Sequence, residues 1–315
     1  MSDPSALGTA GPIAEASHEL TAPGATDRPR SLASDAWHDL RRNPVFLVSV
    51  ALIAFLLVLA AFPQLFTSVD PSAGDLARSR QPPSAQAWFG YDLLGRDVFA
   101  RTIHGTRVSI VVGVLATGLT VLAGGTMGLL AGFYGGWLDA VLSRVADVFL
   151  GLPFMLGGIV ILATFRETVG GGVVGITALV VLTMSMLQWP VSMRIMRSAA
   201  IAARDQDYVR AARGLGAGPW RVIRRHMLPN CLAPVLVYST IALGAFIGVE
   251  ATLSFLGVGL RDPVVSWGVM ISEARDYLRV APFLLLFPAA FLAVTVLTFV
   301  MLGDAVREAF DPKGR

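Results

Sequence analysis

Lysine is nearly missing from this chain: Lys313 is the only one among 25 basic residues, and the rest are arginine. A phosphate-binding loop of the form GxxxxGK[ST] needs a lysine inside a glycine loop, whereas Lys313 is followed only by Gly314 and Arg315. The chain therefore cannot hydrolyse ATP by that route. Cysteine is equally scarce, and Cys231 alone excludes an intrachain disulfide and a cysteine metal cluster. The histidines His18, His38, His104 and His226 are scattered without HExxH or paired spacing, so no metal site is expected. No Gly-x-Ser-x-Gly elbow and no acid pair with catalytic spacing occurs, which argues against an enzyme. Charge of either sign is thin as well. Only 15% of residues are charged and 54% are hydrophobic, against a charged share of about a quarter in soluble domains. Such a composition belongs in a lipid bilayer.

Six apolar stretches are long enough to cross a core of roughly 30 Å at about 1.5 Å per residue. They cover 44–66, 108–133, 145–165, 172–193, 231–255 and 282–302. Pro153 interrupts the third, and Pro234 is expected in the first turn of the fifth, where the lost amide matters little. Gly124, Gly128 and Gly132 recur at four-residue spacing in the second, which lets another helix approach closely, within this subunit or from a partner.

The remaining segments follow. Residues 1–30, rich in Ala, Pro, Ser, Gly and Thr, read as a disordered tail with no signal-peptide core. The segment 31–43, with Trp37, Arg41 and Arg42, suits a short interfacial helix ahead of the first span, so that 31–66 forms one unit. The polar segment 67–107 is expected outside, 108–303 forms a core domain of five spans, and 304–315 is a short inner tail.

The longest polar run between spans is 205–230, DQDYVRAARGLGAGPWRVIRRHMLPN, within a loop expected over 194–230. Arg204, Arg210, Arg213, Arg221, Arg224 and Arg225 outweigh Asp205 and Asp207, which marks the cytoplasmic side. Six crossings place the same loop inside together with both termini, so two arguments agree. Tyr208, Val209, Ala211, Ala212 and Leu215 have helical spacing; Gly214, Gly216, Gly218 and Pro219 break it; Trp220, Val222, Ile223 and Met227 resume it. A helix, a glycine turn and a second helix stopped by Pro229 are expected, with Ala211 and Ala212 leaving a smooth face for another protein.

Here the chain resembles a known family. Ala211-Ala212, Gly216 and Leu228-Pro229 are similar in spacing to the EAA loop of ABC importer permeases, although Arg210 stands where the broad pattern has Glu. The ending His226 to Asn230 resembles the branch that imports dipeptides, oligopeptides or nickel. Two further stretches agree. Trp88-Phe89-Gly90-Tyr91-Asp92, Leu94-Gly95-Arg96-Asp97 and then Phe99, Arg101, Gly105 and Arg107 resemble the FGTDxLGRDxxSR segment of that branch, with Tyr91 for Thr and Ala100 for Ser. Glu250, Leu253 to Gly259 and Ser266-Trp267-Gly268 resemble its E..LSFLGLG....SWG stretch.

The resemblance implies an all-α, multi-pass bundle of six spans with the type I ABC importer permease fold, in a prokaryotic inner or plasma membrane. It implies a permease subunit that forms the pathway for short peptides, with nickel or another small solute as the alternative and a secondary transporter further behind. Tyr208, Ala211, Ala212, Leu215, Gly216, Leu228 and Pro229 would couple it to the ATPase. Implied partners are a second homologous permease, two ATPase domains, separate or fused, an external binding protein and lipid, and no nucleic acid. No cofactor is expected in this chain; ATP and magnesium would belong to the ATPase partners. Glu250 is either a polar gate near the outer mouth or a carboxyl bonded to neighbouring hydroxyls at an interhelical contact, since a charge at that depth must face protein or water.

Overall fold

The computed structural model describes residues 37–170 and 172–310, and among these it holds helices and two isolated bridges but no strand. The tail 1–30, the first part of the interfacial segment and the chain end after Phe310 lie outside the described residues. In chain order the helices are α1 (Pro44–Ala61), α2 (Val98–Tyr134), α3 (Gly136–Gly151), α4 (Phe154–Phe165), α5 (Val173–Arg204), α6 (Asp207–Gly214), α7 (Pro219–Phe255), α8 (Trp267–Ala274) and α9 (Phe283–Phe310). Five of them, α1, α2, α5, α7 and α9, are long and apolar enough to span a membrane. The pair α3–α4, bent by 87°, makes a sixth crossing if counted as one span.

Several boundaries differ from the sequence reading, each for a local reason. Helix α1 stops at Ala61 rather than near residue 66, because Pro63 has no amide hydrogen and forces Phe62 out of helical geometry. Arg107 then caps it, donating to the carbonyls of Ala60 at 2.8 Å and Ala61 at 3.0 Å. Helix α2 begins ten residues early: the Asp97 carboxylate accepts from the Ala100 amide at 2.8 Å and starts the helix inside the segment expected to be external. The interruption at Pro153 is a corner, with Leu152 extended as residues before proline prefer.

Near the polar run, α5 continues to Arg204, so 194–204 is helix rather than loop. Pro229 does not stop the second helix. The stretch Val222–Met227 widens into a π turn, in which the Leu228 amide bonds to the Ile223 carbonyl five residues back, and the helix continues to Phe255. Pro234 accordingly lies inside a helix and not in its first turn. At the other end, α9 runs past the expected 302 to Phe310.

The helix pair at the centre is α2 with α5. A Cβ placed on Gly124 or Gly128 would strike the carbonyls of Trp189 or Met193, and one on Gly132 would strike Ala200. The small-residue stripe is thus used within this chain, where packing must substitute for the hydrophobic effect. Val112, Ala116, Val180, Val181, Met184, Ala242, Phe246 and Leu253 form a buried cluster where α2, α5 and α7 meet. Helix α1 lies on the outside against α9 and α2, with Leu47, Val48, Phe55 and Leu57 exposed. At one end of the bundle stands a knob, made of α6 and the start of α7. The opposite end is closed by a cap formed from 67–97 and 257–281.

Candidate functional site

The knob is a two-helix unit with one sealed face and one open face. Val209 of α6 joins Val222, Ile223, Met227 and Cys231 of α7 and Met196, Ala200 and Ala203 of α5 in one buried cluster, and Ala212 of α6 is buried as well. The link between the helices is a Schellman turn. Gly216 sits at φ +80°, its amide bonds to the Arg213 carbonyl at 3.0 Å, and the Ala217 amide bonds to the Ala212 carbonyl at 3.0 Å. Only glycine takes that backbone geometry without strain. On the open face Leu215 is 89% exposed, Trp220 70% and Tyr208 40%.

The expected coupling residues therefore divide. Tyr208, Ala211, Leu215 and Gly216 lie on the open face, Ala212 is buried, Leu228 is half-buried, and Pro229 is exposed just beyond the π turn. Trp220 contributes more open apolar surface than Tyr208. Its place after Gly218-Pro219, at the start of a helix, was the available sequence signal.

The cap is organised by charge. Asp92 closes a turn by accepting from the amides of Leu94 at 2.9 Å and Arg96 at 2.8 Å. The Arg96 guanidinium donates to Asp92 at 2.6 Å, Asp262 at 3.0 Å and Glu273 at 3.2 Å. Arg101, only 1% exposed, donates to Glu273 at 2.9 Å and lies 3.1 Å from Asp92. Two buried guanidinium groups thus face three carboxylates. Burial pushes the Glu273 carboxyl up to about 7 against the attraction of Arg96, with Asp92 and Asp262 adding to the rise. Phe89 fixes the segment to α9 by stacking on Phe287, ring centres 3.8 Å apart. Nothing in the sequence pairs Asp262 or Glu273 with these arginines, although two arginines in a segment that becomes buried demand carboxylate partners.

Glu250 is fully buried near the cap end of α7 and its contacts are all internal. Its Oε1 accepts from the hydroxyls of Ser254 at 2.8 Å and Ser266 at 3.0 Å. Each serine passes the interaction on. Ser254 Oγ accepts from the Leu260 amide at 3.0 Å, and Ser266 Oγ caps α8 by accepting from the Val269 amide at 3.2 Å. Trp267, also fully buried, donates from its indole to the Thr102 carbonyl on α2 at 3.0 Å. Gly268 brings α8 against the backbone of Ala251, where a Cβ would not fit. The stretch from Glu250 to Gly268 thus reads as a folded-back hairpin nailed down by one carboxylate. Of the two readings of Glu250, the geometry supplies the hydroxyl partners of the interhelical contact.

The same residues place the chain among known proteins. The family described as binding-protein-dependent transport system inner membrane component matches residues 124–315, and the N-terminal TM domain of oligopeptide transport permease C matches 31–83. The chain is 36% identical over 279 residues to the dipeptide transport system permease protein DppC of Alkalihalophilus pseudofirmus, covering 89% of each. It is 35% identical over 285 residues to the oligopeptide transport system permease protein OppC of Bacillus subtilis, covering 90% of this chain and 91% of the relative. With the glutathione transport system permease protein GsiD of Pectobacterium atrosepticum it shares 34% over 278 residues, 88% of this chain and 90% of the relative. Among solved structures, an inward-facing form of the MetNI methionine ABC transporter has a similar fold, with TM-score 0.53 and 21% identity over 66% of this chain and 96% of the other. A helical bundle carrying both the knob and the cap, matched along most of its length, belongs to the family of binding-protein-dependent transport system inner membrane components.

Proposed function

We propose that this chain is the permease subunit of an ATP-driven importer that carries short peptides across the membrane. The observation that carries the reading is the knob: Leu215 and Trp220 stand open on a unit sealed to α5 and continuous with α7. Apolar side chains so exposed among arginines make a site for a protein partner. The arginine excess argues that the knob faces the cytoplasm, where the ATPases would bind ATP and magnesium. The relatives are named for dipeptide, oligopeptide and glutathione transport, all short peptides, which supports that cargo.

The mechanism follows from the connections. ATP-driven closure of the partners displaces the knob, and α7 and α5 move with it because both are fastened to it. A bundle with two stable packings then alternates between openings toward the two sides. A second, homologous permease completes the pathway, and an external binding protein delivers cargo at the cap end.

The test is reconstitution of the chain with its permease, ATPase and binding-protein partners in vesicles, followed by uptake of labelled di-, tri- and tetrapeptides and of nickel. ATP-dependent peptide uptake is the expected result. Uptake of nickel alone, or uptake driven by an ion gradient without the ATPases, would overturn the reading.

A further inference from the structure

Four arginines, three on α5 and one on α6, reach the end of α2 and the helix α3 that follows it. The turn between α2 and α3 is abrupt, with Gly135 at φ +65° and Gly136 at φ +59°. Asp139 follows in the first turn of α3, where free amides favour an anion. Arg197 of α5 grips both its carboxylate oxygens, Nη2 to Oδ2 at 2.6 Å and Nε to Oδ1, and the Ser143 hydroxyl donates to Oδ1 at 3.2 Å. Farther along α3, Arg194 donates to Asp147 at 2.7 Å. Arg204 donates to the Gly132 carbonyl at 3.3 Å, and Arg213 of α6 lies over the Phe133 ring at 5.2 Å.

Apart from these ion pairs, helix α3 rests on one small apolar cluster, in which Ala146, Leu142 and Phe149 meet Ala131 of α2 and Trp189 and Met193 of α5. Ala146 is its one buried residue, and Trp137, Val141, Val145 and Val148 are exposed. Its position is therefore set by the ion pairs together with that small cluster, which includes the contact of Phe149 with Trp189. Partly exposed ion pairs hold weakly, and a cluster this small is cheaper to rearrange than a large packed core. Beyond the 87° corner, α4 leads to Arg166, which donates to the carbonyls of Val258 at 3.2 Å and Gly259 at 3.1 Å in the cap. An unbroken series of contacts thus connects the knob, α5, α3, α4 and the hairpin fixed by Glu250.

We propose that Asp139 and Arg197 are the joint that passes movement of the knob into α3 and α4 and so to the cap. They are positioning residues for transport and touch neither cargo nor nucleotide. The inference rests on the importer reading above.

The test uses the complete transporter carrying Asp139→Asn, Arg197→Gln, or the exchanged pair Asp139→Arg with Arg197→Asp, together with Arg144→Gln as a control on the same helix. A contiguous route earns the name only from measured coupling, which the exchange supplies. In each single variant, ATP hydrolysis is expected to stay within about twofold of wild type while peptide taken up per ATP falls at least about fivefold. The exchanged pair regains at least half of the lost ratio, and Arg144→Gln keeps it. Spin labels at Val148 and Val280 provide a second readout: their separation changes on adding ATP to wild type and stays fixed in Arg197→Gln. Single variants with the wild-type ratio, hydrolysis and uptake lost in proportion, or an exchange that regains nothing would each overturn the joint. Failure of the importer reading looks different, because the wild-type assembly itself then shows no ATP-driven uptake, and the joint falls with it.

Discussion

Glu250 and Ser266 stand sixteen residues apart in the chain and 3.0 Å apart in space, serine hydroxyl to carboxylate oxygen. This bond decides where the hairpin after α7 turns back. Replacing Glu250 with alanine leaves two buried hydroxyls without their acceptor, at about 1–3 kcal/mol for each buried polar group left unpaired. Glu250→Ala is expected to assemble with its partners, melt earlier and transport less, whereas Glu250→Gln keeps an acceptor oxygen and behaves more like wild type. Thermal unfolding of the solubilised complex alongside peptide uptake checks this, and an alanine variant equal to wild type in both would contradict it.

The stripe on α2 makes a prediction about tolerance. Gly128→Ala drives a methyl group into the backbone of Met193 and Arg197, and is expected to destabilise the chain by about 1–3 kcal/mol, as overpacking does. Gly118→Ala on the same helix meets nothing within 4 Å and is expected to be neutral or mildly stabilising through helix propensity. Equal melting temperatures for the two variants would show that α2 and α5 have slack between them.

At the knob, Leu215→Ser with Trp220→Ala removes exposed surface and should leave the chain's own stability within about 0.5 kcal/mol. Its effect is expected on assembly: the ATPases should co-purify at less than about a tenth of the wild-type yield, as when central aromatic contacts are removed from an interface. Gly216→Arg strains the positive-φ turn and should uncouple hydrolysis from uptake. Full ATPase recovery with the double variant would show that the open face is not the docking face.

Glu273 predicts a pH effect of definite sign. Its carboxyl is raised from 4.5 to about 7 by burial, so between these values the folded chain holds a proton that the unfolded chain has released. The linked contribution therefore makes the fold more stable as pH falls through that window, and the unfavourable burial of the charged form is fully present above it. Wild type is expected to gain melting temperature between about pH 8 and about pH 5.5 relative to Glu273→Gln, which lacks this proton. Parallel pH profiles for the two proteins would count against the buried-acid account.

The spans were legible because lipid demands about twenty apolar residues per crossing, and few sequences meet that demand by accident. The knob was legible in outline, since Gly216 marks a turn that other residues resist. Helix ends were not. Pro229 reads locally as a stop, and only the widened turn at Val222–Met227 explains how the helix passes through it. Long-range partners were hidden for another reason: Arg96 announces a need for carboxylates, yet nothing nearby in sequence says that Asp262 and Glu273 will meet it. Asp139 carries no signal of its own in the sequence, because its bond with Arg197 depends on a helix 58 positions later.

Helices α2 and α5 touch backbone to backbone at three successive levels, which leaves no lubricating layer of side chains between them. Such a seam does not slide, so the two rods must travel as one plank through any cycle of opening. Whatever flexes has to be the lighter timber fastened to that plank by ionic pegs and one small greasy pad, the elbow of α3 and α4 above all.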